Sequence, residues 1–107
     1  VRSKDAVNDA TIEDARQICM EEAASRVIGN GNGMPGNVIS EMSPEAMDAI
    51  EKADVMVSKG QGNFEGLSGC GLNIYYLFLC KCEAFMKRFN VPQFTGIMTK
   101  ETLYREI

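Results

Sequence analysis

The sequence predicts an α/β protein in which a parallel, doubly wound, Rossmann-like sheet forms the middle of a three-layer sandwich. Two observations predict this fold class. Short apolar runs rich in β-branched and aromatic residues alternate along the chain with segments whose apolar residues recur every three or four positions. The longest apolar run, Ile74 to Cys80, is continuous, as in a parallel strand that is buried on both faces. Strands that alternate with helices in this way are typical of a parallel sheet covered by helices.

The first half of the chain contains two predicted helices and two weaker strands. Residues 1–8 predict a short strand, and the brief apolar run at 27–28 predicts a second one. Thr11 is the predicted N-cap of a helix, because acidic residues and an apolar face follow this threonine. The helix is predicted to end near Ala24. The apolar face of this helix comprises Ile12, Ala15, Ile18, Cys19 and Ala23. Ser43 is followed by proline and glutamate, which predicts the start of the next helix.

The second half of the chain alternates between strands and helices. The predicted segments are a strand at 54–58, a short helix at 63–67, a glycine-rich break at 69–71, a strand at 73–80, a helix at 83–89 and a strand at 95–99. The core side of the last helix is predicted to comprise Ala84, Phe85 and Phe89. Cys80 is predicted to be a small buried hydrophobic residue rather than a ligand, since it ends an apolar run.

Composition argues against several classes of site. The chain has no histidine, so a metal site must use oxygen ligands or thiolates. The formal net charge is −4 and the Lys and Arg residues are not clustered, which argues against a nucleic-acid partner. No apolar segment approaches the ~20 residues needed to cross a bilayer, so a membrane partner is not expected.

The cysteines indicate a reducing compartment, which we expect to be the cytoplasm. The chain lacks the cysteine density and the export signal of a secreted disulfide scaffold. Cys80 and Cys82 are too closely spaced for a zinc-binding Cys-x-x-Cys pair, and no second pair matches them.

Polar and glycine-rich segments follow four of the predicted strands. These segments are Asn8-Asp9, Gly29 to Gly33, Lys59 to Asn63, and Lys81. Ligands of open α/β sheets bind outside the carboxyl ends of the strands, so the segments are expected to meet at one site. Lysines and glycine-rich turns suit an anionic ligand, and Asp9 could hold a cation that bridges to it.

Each of these features also has a simpler structural interpretation. A segment rich in Gly and Asn after a strand is often only a turn, because both residues tolerate positive φ. Asp9 could assist the helix cap at Thr11, and Lys59 could be an ordinary solvated lysine. The segment "GNGMPG" matches a dinucleotide-binding fingerprint, but a proline interrupts it and no helix opens directly after it, so we reject that site.

Three segments, "VNDATIEDA", "ADVMVSKGQGNFEGL" and "YYLFLCKC", together resemble the domain-of-unknown-function-89 family of metal-dependent damage-control phosphatases. The resemblance runs in order from about Val7 to Cys82, and "KGQGNFE" after a strand is its most specific part. It implies a cytoplasmic α/β enzyme that hydrolyses phosphate esters of small metabolites, such as sugar phosphates. It also implies a divalent metal cofactor, which could be Mg²⁺, Mn²⁺, Co²⁺ or Ni²⁺.

The resemblance also implies roles for individual residues. Asp9 is the implied metal ligand, and Asp9, Lys59 and Lys81 are the implied catalytic residues. The implied substrate and phosphate contacts are Asn8, Lys59, Gly60, Gln61, Gly62, Asn63, Glu65 and Lys81. All of these residues except Glu65 lie in the segments that follow the predicted strands.

The family pattern extends beyond this sequence. Family members carry an Asp-Asn pair, which supplies two further metal ligands, and a helical region, both upstream of the "NDAT" segment; neither is found here, and the sequence begins at Val1 without an initiator methionine. Residues 1–107 are therefore expected to be the C-terminal part of a larger α/β domain. The missing N-terminal part of the same protein is an expected partner, and the chain alone is expected to be inactive or nearly so.

Two other classes of function stay open. A non-catalytic phosphate- or nucleotide-binding module would use the same glycines and lysines without hydrolysing its ligand. An Asp-Asn pair upstream would favour the enzyme over this module. A protein carboxyl methyltransferase has also been proposed for the family, but the sequence displays no convincing S-adenosylmethionine site.

Overall fold

The computed structural model describes residues 1–4, 9–31 and 37–101. The chain divides into two compact units, Val1–Ala53 and Asp54–Ile107. Three of the sequence-based expectations lie outside the described residues: the role of Asn8, the second half of the predicted strand at 1–8, and the "GNGMPG" segment beyond Gly31. Within the described residues, no helix has the length and apolar character that a bilayer span requires.

The first unit is mainly helical. It contains helix α1 (Ile12–Gln17), a 3₁₀ turn (Met20–Glu22), a second 3₁₀ turn (Ile39–Glu41) and helix α2 (Pro44–Lys52). Thr11 caps α1 as predicted, because its Oγ1 accepts from the Asp14 N–H and the Asp14 carboxylate accepts from the Thr11 N–H. Ser43 caps α2 as predicted, accepting from the Ala46 N–H at 3.2 Å.

Helix α1 is shorter than the sequence predicts. The predicted end was near Ala24, but α1 ends at Gln17 and Cys19 adopts a left-handed φ of 53°. A left-handed residue cannot continue an α-helix, so the chain goes on as a 3₁₀ turn. As a consequence Ile18, predicted to lie on the buried face, is 68% exposed.

The two strands predicted in the first unit are not formed by its described residues. Arg2 makes a single parallel bridge with Thr11, in which the Arg2 N–H donates to the Ala10 carbonyl and the Ile12 N–H donates to the Arg2 carbonyl. Residues 27–28 are followed by Gly29 and have no ladder partner among the described residues. Two apolar residues are too few to form a stable strand, so this expectation was wrong.

The second unit contains the sheet. Its elements are β1 (Met56–Lys59), α3 (Gln61–Leu67), β2 (Ile74–Leu79), α4 (Glu83–Phe89) and β3 (Gly96–Lys100). The strand order is β1-β2-β3. Strands β1 and β2 are parallel, with Met56 beside Ile74, whereas β2 and β3 are antiparallel, with Leu77 opposite Met98. The three-stranded sheet is therefore mixed, and the expectation of a fully parallel sheet is wrong for the last strand.

The direction of β3 follows from the turn after α4. Asn90 has a left-handed φ of 53°, which ends α4 and reverses the chain. The Phe94 N–H then donates to the Cys80 carbonyl at 2.7 Å, so the chain is attached where β2 ends. Strand β3 starts beside Leu79 and can only run back along β2.

Both helices of the second unit pack on one face of the sheet. Phe64 on α3 lies 5.0 Å from Phe78 on β2, and Phe85 and Phe89 on α4 lie 6.1 and 5.8 Å from the same Phe78 ring. Phe64 also meets Tyr76 edge-on at 4.9 Å. These rings form the core, which aromatic packing stabilises beyond simple burial. A doubly wound arrangement, with helices on both faces, stays a prediction.

Burial along β2 alternates instead of being continuous. Ile74, Tyr76 and Phe78 are buried on the helix side, whereas Leu77 is 44% and Leu79 is 47% exposed. The expectation that this strand is buried on both faces is therefore not met. Cys80 is fully buried, as predicted, while Ala84, predicted to face the core, is exposed.

A buried carboxylate fixes the end of β3 to the glycine-rich break before β2. Glu101 is only 5% exposed, and its Oε1 accepts from the Gly69 N–H at 3.0 Å and the Tyr76 hydroxyl at 2.9 Å. Its Oε2 accepts from the Gly71 N–H at 2.8 Å. Hydrogen bonds from these donors offset the cost of burying the charge.

The Glu101 contacts predict that an isosteric substitution at this position lowers the free energy of unfolding. In Glu101→Gln an amide NH₂ replaces one oxygen and faces a backbone or hydroxyl donor, so one buried group loses its partner. We expect urea denaturation to show a loss of about 1–3 kcal/mol in the free energy of unfolding. Glu83→Gln, which removes an exposed pair with Lys87, is the control and should change it by less than about 1 kcal/mol. Equal effects in the two variants would contradict the assignment.

The same cluster predicts a dependence on alkaline pH. Burial and the hydrogen bond to Glu101 raise the pKa of Tyr76 above its usual value of about 10. An unfolded tyrosine ionises near that pH and the buried one does not. The contribution of Tyr76 to stability is therefore complete below about pH 10 and decreases as the pH rises further. Urea midpoints of the native chain and Tyr76→Phe should differ by a constant amount up to about pH 9 and converge above it; parallel curves throughout would contradict this.

Candidate functional site

A cleft lies at the carboxyl ends of the two parallel strands. Its volume is about 360 Å³, at the lower end of small-molecule sites. It is lined by Lys59, Gly60, Gln61, Leu77, Phe78, Leu79, Lys81 and Gly96. Lys59 is the last residue of β1 and Lys81 follows the end of β2, so the parallel pairing brings the two lysines to the same edge of the sheet. Four of the residues predicted from sequence thus line one cleft.

Gly60 makes the one-residue connection between β1 and α3. Its φ of 104° lies in a region that residues with a side chain rarely adopt. A Cβ at this position would meet nothing closer than the Asn63 amide at 4.0 Å, so the backbone conformation, and not space, requires glycine. The Gly60 N–H donates to the Leu77 carbonyl at 2.9 Å and is therefore used within the sheet.

Three other predicted contact residues lie on α3 but do not line the cleft. The Asn63 side-chain amide donates to the Lys59 carbonyl at 2.6 Å, which fixes the turn after β1. The Glu65 carboxylate accepts from the Gln61 amide at 3.2 Å. Gly62 is exposed in the first turn of the helix. Substrate contacts by Gly62, Asn63 and Glu65 stay predictions.

Two glutamine side chains hold the backbone of Lys81. The Lys81 N–H donates to Gln61 Oε1 at 3.0 Å, and Gln93 Nε2 donates to the Lys81 carbonyl at 3.3 Å. Gln61 was predicted to contact phosphate, and its side chain is used in these internal contacts. Gln93 was missed by the sequence analysis, because a single glutamine in a turn carries no spacing signal.

The cleft carries positive charge in an acidic chain. Lys59 and Lys81 are both exposed, and neither pairs with a carboxylate among the described residues. The other described lining residues are glycine, glutamine or apolar, so no acidic side chain offsets the two ammonium groups. Such a cleft can bind an anion through charge-assisted hydrogen bonds from the two ammonium groups.

Asp9 belongs to the first unit and forms an ion pair there. Its Oδ2 lies 3.3 Å from Nε of Arg2, whose side chain is 7% exposed. The simpler role considered for Asp9, assisting the cap at Thr11, is filled by Asp14 instead. The Asp9 side chain is 49% exposed, so it stays accessible to a ligand.

The described residues do not form a metal centre on their own. No group of three or more Asp, Glu or Cys side chains within residues 1–4, 9–31 and 37–101 is arranged to hold a metal ion. The role of Asp9 as a metal ligand stays a prediction. A divalent metal normally requires several oxygen ligands from the protein or its substrate.

Comparison with known proteins gives the family. The sequence profile of the damage-control phosphatase ARMT1-like domain matches residues 1–96. A damage-control phosphatase of Archaeoglobus fulgidus is 38% identical over 92 residues, which is 85% of this chain and 32% of the relative. A damage-control phosphatase of Pyrococcus horikoshii is 40% identical over 88 residues, which is 81% of this chain and 30% of the relative.

A solved structure agrees with this result. A DUF89 family protein of Pyrococcus horikoshii superposes with a TM-score of 0.81 at 35% sequence identity, over 94% of this chain and 35% of that protein. The likeness confirms the predicted α/β class, and the chain spans about a third of the length of the relatives it matches. The resemblance found in the sequence is thereby confirmed: the chain belongs to the damage-control phosphatase ARMT1-like family, also known as DUF89.

Proposed function

We propose that this chain supplies the phosphate-binding edge of a phosphatase that hydrolyses phosphate monoesters of small metabolites, such as sugar phosphates. One observation carries the proposal: two lysines without ion pairs among the described residues, at the ends of two parallel strands, line a single cleft of about 360 Å³. The relatives named damage-control phosphatases support the reaction class. The volume suits a small substrate better than a macromolecule.

The lysines would act on the charge of the phosphoryl group. Lys59 and Lys81 bind the non-bridging oxygens of the substrate, and their positive charge stabilises the negative charge on these oxygens as the ester bond breaks. Leu77 and Leu79 form part of the apolar wall of the cleft. The lining residues thus supply binding and electrostatic stabilisation.

This chain is proposed to supply only part of a metal site. Asp9 is proposed as one ligand of a divalent metal, Mg²⁺, Mn²⁺, Co²⁺ or Ni²⁺, and the remaining ligands are proposed to come from the N-terminal part of the family domain. The described residues do not form a metal centre by themselves, so the metal site is proposed to be complete only when the N-terminal part is present. The same reasoning leads us to propose that the 107-residue chain alone is inactive.

The proposed compartment is the cytoplasm. All four cysteines, Cys19, Cys70, Cys80 and Cys82, are free thiols, which suits a reducing environment. No nucleic-acid or membrane partner is proposed, since the net charge is −4 and the Lys and Arg residues are not clustered in the sequence.

A non-catalytic phosphate-binding module is the second candidate. The described lining of the cleft includes no hydroxyl, thiol or carboxylate that could act as nucleophile or general base. The chain by itself could therefore bind a phosphate group without hydrolysing it. Turnover by a longer protein that contains this chain would decide for the phosphatase.

The lysines make the first prediction of this proposal. Replacing Lys59 or Lys81 with methionine removes a charged hydrogen-bond donor, so each variant should bind inorganic phosphate about tenfold more weakly or worse. The measurement is a titration of the isotopically labelled chain followed by NMR. Lys52→Met removes an exposed lysine that pairs with Asp48 on α2, and it should leave the affinity unchanged. Equal affinities of native chain, Lys59→Met and Lys81→Met would refute the phosphate site.

Asp9 makes the second prediction. In a longer protein that contains the rest of the family domain, Asp9→Asn should reduce metal-dependent hydrolysis of a phosphate ester at least about a hundredfold by removing a metal ligand. Asp48→Asn on α2 is the control, and melting temperatures of both variants would separate unfolding from lost chemistry. The chain alone should show no turnover with Mg²⁺ or Mn²⁺. Turnover by the chain alone comparable with that of the longer protein would contradict this expectation.

A further inference from the structure

We propose that Gln61 and Gln93 are positioning residues that orient Lys81 toward the phosphate cleft. The inference rests on the proposed function of the cleft and assigns Gln61 a role different from the phosphate contact expected from sequence. It starts from the place of Lys81, which lies beyond the end of β2. Cys80 is the last residue in this region whose backbone is paired with the segment that leads into β3. Its N–H donates to the Thr95 carbonyl, and its carbonyl accepts from the Phe94 N–H.

Side chains take over where the backbone pairing ends. The Lys81 N–H donates to Gln61 Oε1 at 3.0 Å, and its carbonyl accepts from Gln93 Nε2 at 3.3 Å. The two glutamines come from different segments, one from the first turn of α3 and the other from the connection between α4 and β3. Lys81 is therefore held on both sides by groups that are not part of the sheet.

The chemistry of the partners fixes the orientation of both amides. A backbone N–H needs an oxygen opposite it, and a backbone carbonyl needs an N–H, so Gln61 must present its oxygen and Gln93 its nitrogen. The nitrogen of Gln61 then donates to Glu65 Oε1 at 3.2 Å and to Cys82 Sγ at 3.6 Å. These contacts orient the side chain of Gln61 and occupy its donor groups with partners from the chain itself.

The two lysines of the cleft are thus held in different ways. Lys59 belongs to β1 and is paired in register with Leu77, so the sheet itself fixes its backbone. Lys81 has an exposed, rotamer-rich side chain on an irregular segment, and without a fixed backbone its ammonium group would spread over many positions. Fixing the peptide groups of Lys81 limits the directions from which its side chain can reach an anion bound near Lys59.

The first measurement tests the hydrogen bond directly. Gln61→Met keeps the size of the side chain and removes its polar atoms. Amide hydrogen exchange of Lys81, measured by NMR on the 107-residue chain, should become about five- to tenfold faster, while the amide of Tyr76 in β2 exchanges as before. The double variant Gln61→Glu/Glu65→Gln exchanges the amide and the carboxylate, so it retains an acceptor for the Lys81 N–H without placing two carboxylates together, and it should keep the Lys81 amide protected. Unchanged exchange of Lys81 in Gln61→Met would overturn the proposal.

The second measurement tests whether Gln61 affects phosphate binding through Lys81. Gln61→Met should weaken binding of inorganic phosphate several-fold in the native background and have no further effect in the Lys81→Met background, because a positioning residue acts only through its lysine. Gln93→Met, at an exposed position, should also weaken phosphate binding only when Lys81 is present. It provides the test if Gln61→Met does not fold. Gln17→Met, on the exposed surface of α1, is the control and should change neither exchange nor affinity.

The remaining outcomes decide between the alternatives. An equal loss of affinity from Gln61→Met in both backgrounds would mean that Gln61 contacts the anion itself, and the positioning role would be overturned. If Lys81→Met weakened phosphate binding and neither Gln61→Met nor Gln93→Met did, the positioning role would be overturned and the phosphate site would be retained. A native chain that binds no phosphate, with Lys81 protected, would refute the proposed function and reduce the two glutamines to a structural contact.

Discussion

The packing of Phe64 against β2 is the constraint on which the cleft depends. Phe64 is 4% exposed and contacts Tyr76 and Phe78 with ring centroids 4.9 and 5.0 Å apart. Gln61 precedes it by three residues on α3, and residues at this spacing lie on the same side of a helix. Once the ring of Phe64 is seated on the strand, the rotation of α3 is set, and Gln61 is directed toward the strand end where Lys81 lies. A core contact thus determines the geometry of a polar one.

The connection between β1 and α3 adds a second constraint. Only Gly60 separates the strand from the helix, and its positive φ permits the abrupt change of direction. The Asn63 amide donates to the Lys59 carbonyl at 2.6 Å, which ties the first helical turn to the end of the strand. Lys59 and Gln61 both line the cleft on either side of Gly60, so a residue that cannot adopt the positive φ at this position would displace both of them.

Local signals in the sequence predicted the parts of this structure that local interactions determine. The caps at Thr11 and Ser43 and the helix Glu83–Phe89 were predicted correctly, because the residues that form them are neighbours in the chain. The meeting of Lys59 and Lys81 was also predictable, since it requires only that two successive strands are parallel.

The features that the sequence did not predict depend on hydrogen bonds between residues that are distant in the chain. The antiparallel course of β3 depends on the bond between Phe94 and Cys80 and on the left-handed Asn90, neither of which has a periodic signature. The buried position of Glu101, which accepts from donors about 30 residues away, is equally invisible to patterns of hydrophobicity. Gln93 belongs to the same class, because its role exists only in the folded arrangement.

The charge of the cleft shows why overall composition is a poor guide to the ligand. A net charge of −4 suggests a protein that repels anions, yet the carboxylates near the cleft have other partners. Glu65 accepts from Gln61 and Glu83 pairs with Lys87. Glu101 lies at the other end of the sheet, where its N–H donates to the Ile74 carbonyl at the start of β2. Lys59 and Lys81 have no carboxylate partner among the described residues, and they are the charged side chains in the described lining of the cleft. Because electrostatic interactions in salt solution decay over about 10 Å, an anion in the cleft responds mainly to these two lysines and much less to the acidic surface elsewhere.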